Sequence, residues 1–316
     1  MYYPILRWKQ GEIRALEYSP EEWKQQITPI WIIEEFTQIE NAISQILSVW
    51  SSEQILDLSR RGIDTIDSKA WKAIIDNNIL FAIAPSEVEN LSAEQLKVFN
   101  QNPIIRLTFD DPSSALYSNL SKQVLSLIDH YSVNSNTQLI LDFGTVIEEH
   151  EICASDIATT LRTINGRVTR PIIISGGCFP TTLQEVTSRA EIRRIDKSFY
   201  NLLCDSVDFP LMYSDYCTLN PEWDQAGIMR TSHSAIRYTH DDHWLVLRVR
   251  GRDSKALFGL TKLLVLEDDY RGREFSWADN VWFLRASEPP ETGSGNSLFH
   301  VSEFIHHHIA QVLAYG

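Results

Sequence analysis

Short apolar runs rich in β-branched residues recur along this chain with amphipathic stretches between them, the alternation that gives parallel strands joined by crossover helices. Seven runs qualify as strands: Thr28–Glu34 (TPIWIIE), Gln54–Ser59 (QILDLS), Ile79–Ala84 (ILFAIA), Ile104–Phe109 (IIRLTF), Gln138–Phe143 (QLILDF), Pro171–Ser175 (PIIIS) and Pro210–Ser214 (PLMYS). An eighth is expected from Ala235–Thr239 (AIRYT) or Trp244–Val249 (WLVLRV), although the His240-Asp241-Asp242 turn between them also suits a hairpin. Helical stretches cover Ile39–Trp50, Ser68–Asp76, Ala93–Asn100, Ser114–Tyr131 and Ser155–Ile164, several of them preceded by a Ser or Asp suited to an N-cap. A loop-like GSGNS at Gly293–Ser297 precedes a last helix, Leu298–Ala314. Eight strand candidates and no early glycine-rich dinucleotide fingerprint favour an α/β fold of the (β/α)8 TIM-barrel type over a doubly wound open sheet. One domain spanning residues 1–316 is expected, with residues 252–316 as a helical extension packed on the barrel.

The length of 316 residues is compatible with that reading, because α/β barrels reach about 250 residues as one unit. A hydrophobic content of 43%, with 13 Phe, 11 Tyr and 9 Trp, is enough to fill a large core. The net charge of −14 repels a phosphodiester backbone and disfavours non-specific nucleic-acid or anionic-membrane binding. Cys153, Cys178, Cys204 and Cys217 are too widely spaced for a zinc or dithiol motif and read as reduced thiols. Arg7 and Lys9 interrupt the N-terminal stretch before an apolar run of signal-peptide length develops, and no later run approaches about 18 apolar residues. A cytoplasmic protein without a membrane partner is therefore expected. Nothing in the spacing designates a cofactor or a metal.

Parallel α/β folds bind ligands at the carboxyl ends of their strands, and polar residues fall there repeatedly: Glu34, Glu35, Asp57, Ser59, Asp110, Asp111, Asp142, Ser175-Gly176-Gly177 and Asp215. Glu34, Asp142 and Asp215 are the candidate catalytic carboxylates, for acid–base work or for holding a divalent ion. Each of these acids is individually open to the plainer role of capping a following helix. Arg248, Arg250 and Arg252 alternate in LRVRGRD, so in an extended segment they share one side, opposite Leu245, Leu247 and Val249, and Arg237 is placed to join them. Such a ladder suits a carboxylate or phosphate, or pairs with the protein's own acids. In the last helix Leu298, Val301, Ile305, Ile309 and Val312 form an apolar stripe, with His300, Glu303 and His307 on the other side as a metal-binding set or a solvated face. Cys178 follows a glycine pair at a strand end but has no designated base, and reads as a buried thiol.

The opening Tyr3-Pro4-Ile5-Leu6-Arg7-Trp8-Lys9-Gln10-Gly11-Glu12, with Ile27-Thr28-Pro29-Ile30 after it, resembles the Beta protein family first named from a T-even bacteriophage. SAIRYT (Ser234–Thr239), WLVLRVRG (Trp244–Gly251), FSWAD (Phe275–Asp279) and HHI (His307–Ile309) resemble that family's later landmarks in the same order. Two positions depart from its pattern: Ala278 stands where a glycine is usual, and His306 where an asparagine is expected. The resemblance implies a phage- or bacteria-borne protein, often near mobile or anti-phage defence loci, with no established catalytic residues. The shared blocks add weight to Lys9, Arg237, Arg250, Asp279 and His307 as ligand-binding candidates beside Arg248.

These observations point to a barrel that binds or processes a small anionic compound, phosphorylated or nucleotide in kind, in conflict between phage and host. Arg237, Arg248 and Arg250 would clamp the anion beside Glu34, Asp142 and Asp215. A non-catalytic protein using the barrel as a scaffold for a protein partner from a defence or phage system is the alternative. A metal-dependent nuclease ranks third, because the net charge opposes it. Whether the carboxylates and arginines line one pocket discriminates among these.

Overall fold

The structure is a computed structural model that describes residues 1–33, 38–109, 122, 125, 126, 129, 136–222, 233–251 and 253–316. Along these residues the strands are β1 (Tyr2–Arg7), β2 (Ile30–Ile32), β3 (Ile55–Asp57), β4 (Leu80–Ile83), β5 (Ile104–Thr108), β6 (Gln138–Thr145), β7 (Ile172–Gly177), β8 (Arg189–Arg193), β9 (Leu211–Asp215), β10 (His233–Thr239) and β11 (His243–Arg250). They fall into two compact units. The first comprises Met1–Trp8, Glu22–Cys178 and Ile195–Tyr216, and the second Lys9–Glu21, Phe179–Arg194 and Cys217–Gly316.

The first unit is a closed parallel barrel in the order β1-β2-β3-β4-β5-β6-β7-β9. All seven runs read from the sequence supply barrel strands. The closing strand is a correction: it comes from β1, paired in parallel with both β2 and β9, and not from the Ala235–Val249 region. Pro4, which has no N–H for a ladder, and Arg7 at the strand's end disguise YYPILR as an irregular leader. Strands buried on both faces read as near-continuous apolar runs, and β-branched side chains fill the interior: Ile5, Ile30, Ile55, Ile104, Ile140 and Ile173 belong to one buried cluster. The outer helices follow from local signals. Ile39–Val49 buries Ile39, Ala42, Ile43 and Ile46, the i, i+3, i+4, i+7 stripe of an amphipathic helix. Each of its buried isoleucines contributes about 1.5–3 kcal/mol at most, so Ile43→Asp would detach the helix. Asp67 starts Ser68–Asp76 by accepting from the Lys69 and Ala70 amides, and Ser92 with Gln95 forms a capping box for Ala93–Phe99.

The second unit is built on an antiparallel sheet in the order β10-β11-β8. The hairpin alternative for Ala235–Val249 is thus the observed one, with Ile236 opposite Leu247 and Tyr238 opposite Leu245. One face of the sheet packs with Leu260 and Leu264 of helix Ser254–Leu264, with Ala278 and Trp282 of helix Trp277–Ala286, and with Phe304 of helix Ser297–Tyr315. The last helix departs from its sequence reading. Every residue from Ser302 to Val312 is buried, so His300, Glu303 and His307 do not form a solvated face. Helix Gln10–Glu17 covers another of its sides. A Cβ on Gly11 would lie 3.0 Å from Val301, so only glycine lets these two helices approach so closely. Among the described residues no helix is long and apolar enough to cross a membrane.

Candidate functional site

Inward positions of a barrel strand repeat every second residue. Above the apolar layer of Ile55, Ile104, Ile140 and Ile173, one step toward the carboxyl ends, the same faces carry Asp57, Arg106, Asp142 and Ser175. Ser214 follows Met212 in the same way on β9, and Arg7 follows Ile5 on β1. The barrel interior therefore changes from hydrocarbon to a buried polar layer at the end where such folds hold ligands.

Arg106 organises this layer. Its guanidinium, with no exposed surface, donates from Nη1 to Asp57 Oδ2 and from Nη2 to Asp142 Oδ2 at 2.6 Å and to the Tyr216 hydroxyl at 2.7 Å. Tyr216 in turn donates to Asp142 Oδ2 at 2.8 Å. Ser59 holds the other Asp57 oxygen through its hydroxyl at 2.6 Å and its amide at 3.0 Å. Asp142 Oδ1 accepts from the Gly144 amide at 3.1 Å, a contact made where the β6–β7 register shifts and Gly144 adopts φ 56°, a conformation suited to glycine. Burial alone would raise the Asp142 carboxyl, but the Arg106 charge, the hydrogen bonds from Arg106 and Tyr216 and the Arg60 charge outweigh it and hold the group below its ordinary value. Burial likewise opposes the charge on Arg106, and Asp57, Tyr216 and Asp142 more than restore it. Burial pushes the Tyr216 phenol up, so it stays a neutral donor. At the rim Arg60, 40% exposed, reaches the Tyr216 hydroxyl at 3.3 Å and Asp142 at 4.0 Å.

Asp215 sits on the opposite side of its strand from Ser214. Both of its carboxylate oxygens accept from tyrosines, Tyr2 at 2.6 Å and Tyr213 at 2.9 Å, and the Tyr213 hydroxyl also lies 3.1 Å from Asp196 on the outer helix Ile195–Ser206. Cys178 Sγ donates to Asp196 at 2.9 Å, and burial together with the Asp196 charge raises its thiol far above the usual range, which removes it as a nucleophile. Asp142 and Asp215 are therefore not brought to one mouth.

The sequence model of the family described as Beta protein matches residues 2–314. The chain belongs to the Beta protein family. Among curated proteins none matches it in sequence. Two solved structures are similar at 10% identity. One is a diaminopimelate decarboxylase, with a TM-score of 0.40, matched over 68% of this chain and 52% of that one. The other is an arginine decarboxylase of Paramecium bursaria Chlorella virus bound to agmatine, with a TM-score of 0.32, matched over 67% of this chain and 62% of that one. In both cases the match spans less than two thirds of the solved chain.

The blocks that resemble the Beta protein family divide between the two units. Tyr3–Arg7 lies in the barrel strand β1, while exposed Lys9 is the residue before helix Gln10–Glu17 in the second unit. Arg237, Arg248 and Arg250 share the face of the β10–β11 hairpin opposite its packed core, as their alternation requires, but they belong to the second unit and not to a barrel strand. Arg248 Nη1 donates to the carbonyls of Leu183 at 2.6 Å, Gln184 at 3.2 Å and Val186 at 2.7 Å, and Arg237 donates to the Thr218 carbonyl at 2.6 Å with its guanidinium over Phe179. Arg250 is exposed. Asp279 and His307, both fully buried, bond at 2.9 Å. His307 also reaches the Thr239 carbonyl at 3.0 Å and stacks on Tyr238, whose hydroxyl donates to Asp279 at 3.0 Å. Glu303, read with His300 and His307 as a metal-binding set or a solvated face, is instead clamped by Arg285 at 2.6 and 2.7 Å and by the Trp282 indole at 2.9 Å. Glu34, Glu35, Asp110, Asp111 and Arg252 lie outside the described residues. Sequence reasoning missed Arg106, Arg60, Tyr216 and Ser214. The available signal was a lone charge in the apolar run IIRLTF, at the same inward parity as Asp142 in LILDF.

Proposed function

We propose that the barrel binds a small anionic ligand at the carboxyl ends of its strands, above the Arg106 layer. The observation that supports this is the buried guanidinium fixed by two carboxylates and a phenol, with a second, partly exposed guanidinium, Arg60, over it at the rim. A preorganised charge pays no reorganisation cost when a ligand arrives, and Arg60 can turn a planar donor edge to an oxyanion while keeping its distance from Asp142. Phosphorylated or nucleotide-like metabolites fit such a rim, and a role for the ligand in phage–host conflict is the reading that the phage and bacterial setting implied by the family resemblance supports. Arg60→Ala should lower affinity for the anion and protection or activity in a phage-challenge assay, with a change in stability below about 1 kcal/mol, as for an exposed ion pair. Mass spectrometry of what co-purifies with the unmodified protein and with Arg60→Ala tests this directly. If nothing anionic is retained by either, and challenge phenotypes are identical, a scaffold role for the barrel becomes the better account.

A further inference from the structure

Both oxygens of each carboxylate in the polar layer already accept hydrogen bonds. Asp57 spends one oxygen on Ser59 and the other on Arg106, and Asp142 spends one on the Gly144 amide and the other on Arg106 and Tyr216. The unspent groups are of the other kind. Ser175 Oγ, Ser214 Oγ and Arg106 Nε are fully buried and have no hydrogen-bond partner among the described residues. A buried polar atom left unpaired costs free energy, so three of them in one layer point to something that completes them.

Their placement is specific. Ser175 and Ser214 are register partners on the adjacent strands β7 and β9, so their Cα atoms stand about 4.8 Å apart. Asp142, which anchors the Arg106 guanidinium, is the register partner of Ser175 on β6. We infer that Ser175, Ser214 and Arg106 Nε form the floor of a phosphate subsite at the ends of β7 and β9, and that the barrel's ligand is a phosphoryl compound. The inference rests on the anionic-ligand reading above and narrows it. A planar carboxylate is held best by the paired edge of a guanidinium; on Arg106 that edge is already occupied by Asp57 and Asp142, which leaves it to Arg60 at the rim and not to the floor of the layer. Single donors from three side chains suit the separate oxygens of a tetrahedral group. Barrels of this type also hold phosphate where their seventh and eighth strands end, and in barrel order these are β7 and β9.

Inorganic phosphate is the probe, followed by phosphorus NMR and by titration calorimetry on the full chain at up to about 10 mM, with malonate as the carboxylate control. Phosphate should bind the unmodified protein, and Ser175→Ala and Ser214→Ala should each weaken it by about tenfold, the effect of losing one hydrogen bond to a charged acceptor. Because the hydroxyls are unpaired without ligand, both variants should melt at the same or a higher temperature than the parent in phosphate-free buffer. That second readout separates a lost contact from a damaged fold. Phosphate binding that is unchanged in both serine variants would place the anion elsewhere and overturn the subsite, leaving the anionic-ligand reading in place. Tight malonate binding without phosphate binding would overturn the phosphoryl assignment alone. Binding of neither anion, with no co-purified small molecule, would overturn both.

Discussion

Replacing Arg106 by Met tests the charge architecture of the barrel. Methionine has similar length and fills the space with an apolar, adaptable chain, so the cavity contribution is small. What is lost is the cation shared by Asp57 and Asp142, all three without exposed side-chain surface, and the donor to the buried Tyr216. Removing one partner of a buried ion pair costs about 3–5 kcal/mol, because the other charge stays buried and uncompensated. Against a total stability of about 5–15 kcal/mol, that is about a fifth or more of what holds the fold. The deficit should depend on pH. Asp142 is held below its ordinary value in the fold, so its contribution is present above the unfolded value of 3.8 and is lost as pH falls through the lower folded one. Without Arg106 only the Tyr216 hydrogen bond and the Arg60 charge are left to oppose the burial penalty, the largest influence, so the Asp142 carboxyl rises and protonation relieves the buried charge in mild acid. Urea melts at neutral pH and at about pH 4.5 should show a large deficit in the first and a smaller one in the second. Adding Asp57→Asn and Asp142→Asn to the same chain should recover part of the loss at neutral pH. A deficit below about 1 kcal/mol, or one equal at both pH values, would refute the electrostatic account and leave only packing.

Other consequences can be measured independently. His306 is buried, with one ring nitrogen 3.2 Å from the Tyr18 carbonyl, and burial pulls it from 6.5 to about 4. The unfolded chain then takes up a proton first as pH falls, so stability should drop between pH 6.5 and about 4, by up to ~3 kcal/mol, and a pH series on His306→Gln should show a shallower fall. Arg248→Ala removes a donor from three carbonyls between Leu183 and Val186. It should cost about 1.5–3 kcal/mol, and amide exchange should accelerate in residues 179–188 while the barrel strands keep their protection.

The barrel was legible because its strands are buried on both faces and its helices carry their own start signals. Seven runs such as LFAIA and PIIIS need no partner to be recognised. The eighth was not legible, because YYPILR contains a proline and ends in a charge, whereas WLVLRV has the stronger β-propensity and in fact forms a hairpin. Asp142 was visible as an acid inside an apolar run. Its partner Arg106 lies 36 residues earlier and was passed over, because sequence spacing does not give the register that brings two inward positions of neighbouring strands together. The last helix shows the same limit. Glu303 and His307, with His300, read as a polar side because the partners of the first two, Arg285 and Asp279, are brought to them only by tertiary packing.

The division of the chain has a consequence for the order in which structure can form. Each compact unit is assembled from three separated segments, and the path passes from the barrel to the second unit after Trp8 and returns before it completes the first βα step. Helix Gln10–Glu17 finds its partner helix only when Ser297–Tyr315 is in place. The barrel cannot close until β9 reaches β1, some two hundred positions later. Loop closure of that span must be paid for before its contacts return anything, so folding is expected to be slow and all-or-none within each unit. Neither unit can be excised as a contiguous fragment: cutting at any single peptide bond to isolate the barrel would strand part of its neighbour. A nascent chain released before residue 297 would carry an exposed apolar face on Gln10–Glu17, where Ile13 and Leu16 are otherwise buried, and would be a natural substrate for a holding chaperone.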